Sequence, residues 1–170
     1  MTNSKEIIEE AKKLEKTYKF KDAIILLEDL FQKEPDSKEV KKALLDMLLS
    51  YGGYLNDEFS ADYEMAITCF EKMIELEPKS YRALYNLGIT YYNLGDREKA
   101  LDSYKEALKI NPDYKYCYYN IGYLYENLGE LEKAMNFYEK ALKIDPGFLY
   151  ALNARESVRK QIDLFKRRSE

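Results

Sequence analysis

Two consecutive 34-residue segments of this chain superimpose without a gap, and that period constrains the fold more than any other feature. YRALYNLGITYYNLGDREKALDSYKEALKINPDY (81–114) aligns with KYCYYNIGYLYENLGELEKAMNFYEKALKIDPGF (115–148). Leu87 then falls on Ile121, Gly88 on Gly122, Tyr91 on Tyr125, Gly95 on Gly129, Ala100 on Ala134, Tyr104 on Tyr138, Ala107 on Ala141 and Pro112 on Pro146. A fixed period of this length marks units that cannot bury their apolar face alone and must stack on their neighbours.

Each repeated residue has a physical task. Gly88 and Gly122 lie in the middle of helical patterns, where glycine costs about 1 kcal/mol relative to alanine, so close approach of a partner helix is the expected compensation. Ala100 and Ala134 are expected to serve the same approach from a second helix. Gly95 and Gly129 read as glycines that end one helix just before the next begins. The tyrosines at 91, 104, 125 and 138 fill the space between helices, and Pro112 and Pro146 mark the passage to the next hairpin.

This pattern of a large residue, Leu-Gly, Tyr, Ala, an aromatic, Ala and Pro resembles the tetratricopeptide repeat family, with Leu84 and Tyr118 standing where the family favours Trp. The resemblance implies an all-α, right-handed superhelical solenoid of helical hairpins. Counting backward, Pro78 closes a unit with Ala66, Phe70 and Met73 at the family offsets, and Pro35 closes another with Ala23, Leu27 and Leu30. The chain then reads as one solenoid over 1–170: repeats at about 4–37, 38–80, 81–114 and 115–148, and a capping helix at about 149–168. In the first unit the turn KTYKF stands where Gly is expected. Pro35 and Pro78 are 43 apart, nine more than the later period, which places an insertion near 51–62, between the two helices of the second unit. The cap has helical spacing at Leu149, Leu152, Val158, Ile162 and Phe165.

Composition narrows the function. The chain has no histidine, which removes the usual general base and the commonest metal ligand, so neither an enzyme nor a cofactor is expected. Cys69 and Cys117 stand apart, outside any metal-binding or redox motif, and read as reduced, buried thiols. A net charge of -4 disfavours a phosphate backbone as partner. No segment has the roughly 20 apolar residues of a membrane span, and no signal peptide is evident, so a cytoplasmic location is expected.

In the family the first helix of each hairpin lines a concave groove. Carried onto this sequence, the groove positions are Arg82, Tyr85, Asn86, Tyr92, Asn93, Tyr116, Tyr119, Asn120, Tyr123, Glu126 and Asn127, with Tyr150 and Asn153 from the cap. Lys5, Lys12, Lys16, Glu39, Lys42, Asp46 and Ser50 make the earlier units more charged. Asn86 and Asn120 could pair with the backbone of an extended peptide while tyrosines grip its side chains. The alternative is that the tyrosines pack against neighbouring repeats and the asparagines bond the adjoining turn. Eleven of the 17 tyrosines fall between 81 and 125, which favours a binding surface.

The expectation is a non-enzymatic scaffold that takes a protein or peptide in its groove, with no nucleic acid or membrane as partner. A second reading is a structural repeat protein that associates with copies of itself. The family variant that clamps the carboxylate of chaperone tails does not fit. Its five positions hold Lys42, Asp46, Asn86, Tyr116 and Asn120, only two of which match, and an aspartate there repels a carboxylate. Gly52-Gly53 with Tyr54, Asn56 and Asp57 reads as a longer connection. The basic residues Arg155, Arg159, Lys160 and the tail KRRSE read as a solvated face.

Overall fold

The computed structural model describes residues 4–57 and 60–169, with side chains described up to 167. Glu58 and Phe59 of the expected insertion, and the side chains from Arg168 onward in the basic tail, therefore lie outside the described residues. Among the described residues there are nine α-helices and no strand: α1 (Ser4–Lys16), α2 (Phe20–Lys33), α3 (Lys38–Leu55), α4 (Tyr63–Leu76), α5 (Tyr81–Asn93), α6 (Arg97–Ile110), α7 (Lys115–Asn127), α8 (Leu131–Ile144) and α9 (Leu149–Ser169). Consecutive helices pack as antiparallel pairs and form an all-α repeat solenoid.

Local chemistry fixes the helix ends. Ser37, Asp62 and Asp96 each accept a bond from the backbone N–H three residues on, capping α3, α4 and α6. Gly95 and Gly129 adopt φ of 89° and 74° and end α5 and α7. The N–H of Asp96 reaches the carbonyl of Tyr91 at 2.8 Å, and that of Gly95 reaches Tyr92 at 3.0 Å, the paired bonds of a Schellman stop. The turn after α1 makes the same pair of bonds, from Lys19 to Leu14 and from Tyr18 to Glu15, both at 2.9 Å. Tyr18 itself takes φ 59° there. The first repeat thus keeps the turn while departing from its residue.

Between the helices of a pair, an aromatic ring lies on a glycine. A β-carbon on Gly88 would sit 2.5 Å from the Tyr104 ring, so only glycine permits this approach. Tyr104 and Tyr138 are among the largest fully buried side chains, and Ala100, Ala107, Ala134 and Ala141 are wholly buried around them. Burying rings of this size supplies much of the driving force for stacking.

The insertion is placed differently from the sequence expectation. Of the nine extra residues, five extend α3 to 18 residues against 13 in α5, and four lengthen the link to α4. Gly52 and Gly53 therefore lie in a helix and not in a connection. The Phe70 ring, at the position of Tyr104 and Tyr138, rests on Gly52: a β-carbon there would be 2.6 Å from Phe70 Cζ. The period points instead to Leu45. Gly52 is seven residues later, close to two full turns, so the small residue returns to the same side of the longer helix.

The cap also differs in detail. Phe148, Ala151 and Val158 are buried against α8, with Leu152 and Ile162 half-buried. Leu149 is 68% exposed and Phe165 61% exposed, so neither carries the inward face. Leu149 opens the helix on the side away from Ala151 and Val158, while Phe165 lies beyond the length of α8.

Candidate functional site

The odd-numbered helices approach one another more closely than the even-numbered ones, so the array curves around α1, α3, α5, α7 and α9. Their facing side chains line the inner surface. A repeated hydrogen bond ties neighbours together along it, from the thirteenth residue of one inner helix to the twelfth of the preceding one. Ser50 Oγ donates to Glu15 Oε1 at 2.6 Å, Asn127 Nδ2 to the Tyr92 hydroxyl at 2.8 Å, and Gln161 Nε2 to Glu126 Oε1 at 3.3 Å. At the junction of α3 and α5 the twelfth residue is Leu49, which has no acceptor to offer Asn93.

On this surface the rings form a continuous strip from α5 to α9. Tyr85 meets Tyr114 edge-on at 5.0 Å, Tyr114 lies 5.3 Å from Tyr116, and Tyr116 lies 5.3 Å from Phe148. Phe148 contacts Tyr119 at 5.6 Å and Tyr150 at 5.7 Å. Tyr123 joins Tyr119 to Tyr92, with centroids at 6.5 and 5.7 Å. Offset and edge-on pairs of this kind hold one another's rotamers. Lys115, ion-paired with Asp145, lies over the rings of Tyr116 and Phe148, 5.2 and 4.9 Å from their centroids. That lysine holds the Asp145 carboxyl below its ordinary value.

The expected site residues thus divide into two groups. Tyr85 is largely enclosed, and its hydroxyl accepts from Asn120 Nδ2 at 3.4 Å. Burial pushes the Tyr85 and Tyr104 phenols well above their ordinary value, and Tyr114 up to about 12. Asn120 also reaches the Tyr104 hydroxyl at 3.4 Å, so it stitches α7 to α5 and α6. Asn86 donates to the carbonyl of Arg82 in its own helix. Tyr119 is wedged against Tyr138 and Phe148, and Glu126 accepts from the Tyr138 hydroxyl at 2.6 Å. Tyr92 is half-buried beneath Asn127.

The second group faces outward. Tyr116, Tyr123 and Tyr150 are 39, 42 and 67% exposed, and Arg82, Asn93, Asn127 and Asn153 are exposed beside them. Tyr114 and Phe148 were missed by reasoning from groove positions because they precede the helices. Their signal was present, since each stands two residues after a proline, one period apart. The thiols are inert: burial pushes Cys69 up to about 11 and Cys117 to about 12. Among the described residues no group of three His, Cys, Asp or Glu side chains could hold a metal ion, and no helix is long and apolar enough to cross a membrane.

Models of the tetratricopeptide repeat match residues 81–114 and 116–148, and a further TPR repeat model matches 62–95. The chain belongs to the tetratricopeptide repeat family. Solved repeat structures share its shape. The crystal structure of MamA is 26% identical with a TM-score of 0.69, over 91% of this chain and 85% of that one. The first TPR domain of Spaghetti (RPAP3), bound to the HSP90 peptide SRMEEVD, is 23% identical with a TM-score of 0.62, over 70% and 93%. The Sgt2 TPR domain from Aspergillus fumigatus is 21% identical with a TM-score of 0.66, over 74% and 83%. The likeness to the last two is one of fold. No curated protein sequence matches this tetratricopeptide repeat chain.

Proposed function

We propose that this tetratricopeptide repeat protein is a non-enzymatic interaction scaffold whose inner surface, from α5 to α9, binds an extended segment of another polypeptide. The observation that carries the reading is the arrangement of Tyr116, Tyr123 and Tyr150. They are partly exposed on one surface and backed by neighbouring rings that hold them in place. Rigid, amphipathic rings lose little entropy when they grip a ligand, which suits them as anchors. The committed amides, Asn120 and Asn127, position this surface, while Asn93 and Asn153 remain to meet a peptide backbone.

A neighbour of like fold holds an HSP90 peptide, which supports the choice of a peptide as ligand. Chaperone tails are a poor match here, because Asp46, Tyr116 and Asn120 replace the polar or cationic groups that a terminal carboxylate needs. The test is capture from native lysate by wild type and by the triple variant Tyr116→Ala, Tyr123→Ala, Tyr150→Ala, with the fold checked by circular dichroism. Loss of the captured partners is expected. Their full retention by a folded variant removes the tyrosine surface from the account.

Self-association is the second reading, favoured by the apolar exposure of α9 at Leu149 and Leu164, 68 and 55%. Sedimentation across a concentration range separates the two, since a strict monomer excludes assembly.

A further inference from the structure

The outer helices α2 and α4 stand apart, and between them an apolar groove of about 290 Å³ opens over Leu48 and Tyr51 of α3. Ile24 and Ile25 line one wall and Met65 and Cys69 the other, and the Lys72–Glu28 ion pair crosses from α4 to α2 at one end. Two of these residues depart from the repeat. Two places after Ala23, Ala66, Ala100 and Ala134 stand Ile25, Thr68, Asp102 and Asn136, all exposed, and only the first of them is apolar. One place before the same alanines stand Asp22, Met65, Lys99 and Lys133, and only Met65 is apolar. The groove is where the two departures meet. An isoleucine 58% exposed adds little to the core beneath it, so this apolar wall points to a partner.

Charge around the groove says what kind of partner covers it. Asp22 and Asp29 lie about one turn before and after Ile25, and Glu64 and Glu71 one turn before and after Thr68 on the facing wall. Among the described residues none of these four carboxylates is within ion-pair distance of a cation. The opposite pattern stands on α9, at the other end of the array. Leu164 is 55% exposed there, with Lys160 and Arg167 one turn before and after it on the same face. As far as residue 167, α9 carries five cations and two carboxylates, whereas α2 and α4 together carry three cations and six carboxylates.

We infer that the outer groove between α2 and α4 receives the end of α9 from a second copy of this chain. Leu164 then seats against Ile25 and Met65, with Lys160 and Arg167 facing the carboxylates on either side. The inference rests on the self-association reading above and gives it two named surfaces; the tyrosine surface, on the inner side, is separate. Within one chain α9 packs on α7 and α8, so the contact joins two copies. Because the two surfaces differ, the contact is heterologous, and each added copy leaves a groove and an α9 end open for growth.

The test is sedimentation of the whole protein across a wide concentration range, with Ile25→Ser and Leu164→Ser measured alone and mixed, and the fold checked by circular dichroism. Wild type is expected to gain mass with concentration, and less so as salt rises. Each variant alone is expected to associate at least about tenfold more weakly. An equal mixture is expected to restore one contact and stop at a pair, because one variant supplies an intact α9 and the other an intact groove. A mixture no more associated than its components would overturn the proposal. So would undiminished association in both folded variants, which would move self-association to another surface, whereas a strictly monomeric wild type would remove self-association as well. A monomer that captures a different protein through Ile25 would also overturn it and give the groove to that partner.

Discussion

The ring of Tyr138 covers Gly122 so closely that a β-carbon on the glycine would lie 2.7 Å from Tyr138 Cε1 and 3.3 Å from the carbonyl oxygen of Ala134. The ring has nowhere to retreat, because it is wholly buried and its hydroxyl is bonded to Glu126. Gly122→Ala should therefore destabilise the array despite the better helix propensity of alanine, by about 1–3 kcal/mol from overpacking. At about 2–4 °C per kcal/mol for a domain of this size, thermal unfolding will show it. In a Tyr138→Leu background the same substitution should cost less, since the clash is relieved.

Gly52 and Gly53 offer a sharper contrast, being adjacent in one helix. A β-carbon at Gly52 would strike the Phe70 ring, whereas at Gly53 it meets nothing within 4 Å. Gly52→Ala is expected to destabilise, and Gly53→Ala to stabilise by about 0.5–1 kcal/mol through helix propensity. Denaturation midpoints of the two variants check this, and equal effects would contradict the packing of α3 on α4.

The solenoid was legible in the sequence because its period depends on residues with strict steric duties: Gly88, Gly122, Ala100, Ala134 and the rings between them. The longer α3 was hidden. Its ring-bearing glycine moved two turns along the helix, and glycine pairs such as Gly52-Gly53 usually mark turns. The tyrosine surface was legible as a set, since position along the repeat fixes which side faces inward. The division of labour within it was not. Whether Asn120 meets a ligand or the hydroxyls of Tyr85 and Tyr104 depends on the distance between repeats, which no local pattern encodes.

That division yields a prediction about probes of binding. Tyr119 packs against Tyr138 and Phe148, so Tyr119→Ala should cost about 2–4 kcal/mol of stability and confuse any binding assay. Tyr150, 67% exposed, should tolerate alanine within about 1 kcal/mol. Chemical denaturation of the two variants separates the structural ring from the available one.

Alkaline pH should unfold the array through its buried phenols. Burial raises the folded-state values of Tyr85, Tyr104 and Tyr138, and that of Tyr114 to about 12, against about 10 for an unfolded tyrosine. Groups raised in this way contribute stability that is fully present below about pH 10 and is lost as pH climbs toward the folded values. Melting temperature should hold up to about pH 9 and fall above about pH 10, with tyrosinate absorbance from these rings appearing only as helicity is lost. Their ionisation in an intact fold near pH 10 would contradict the packing.

The most direct test of the central claim is hydrogen exchange of the protein bound to a captured partner, compared with the free protein. Binding on the inner surface predicts added protection in α5, α7 and the first turns of α9, with α6 and α8 unchanged. Protection confined to α6 and α8, or to the end of α9, would contradict it.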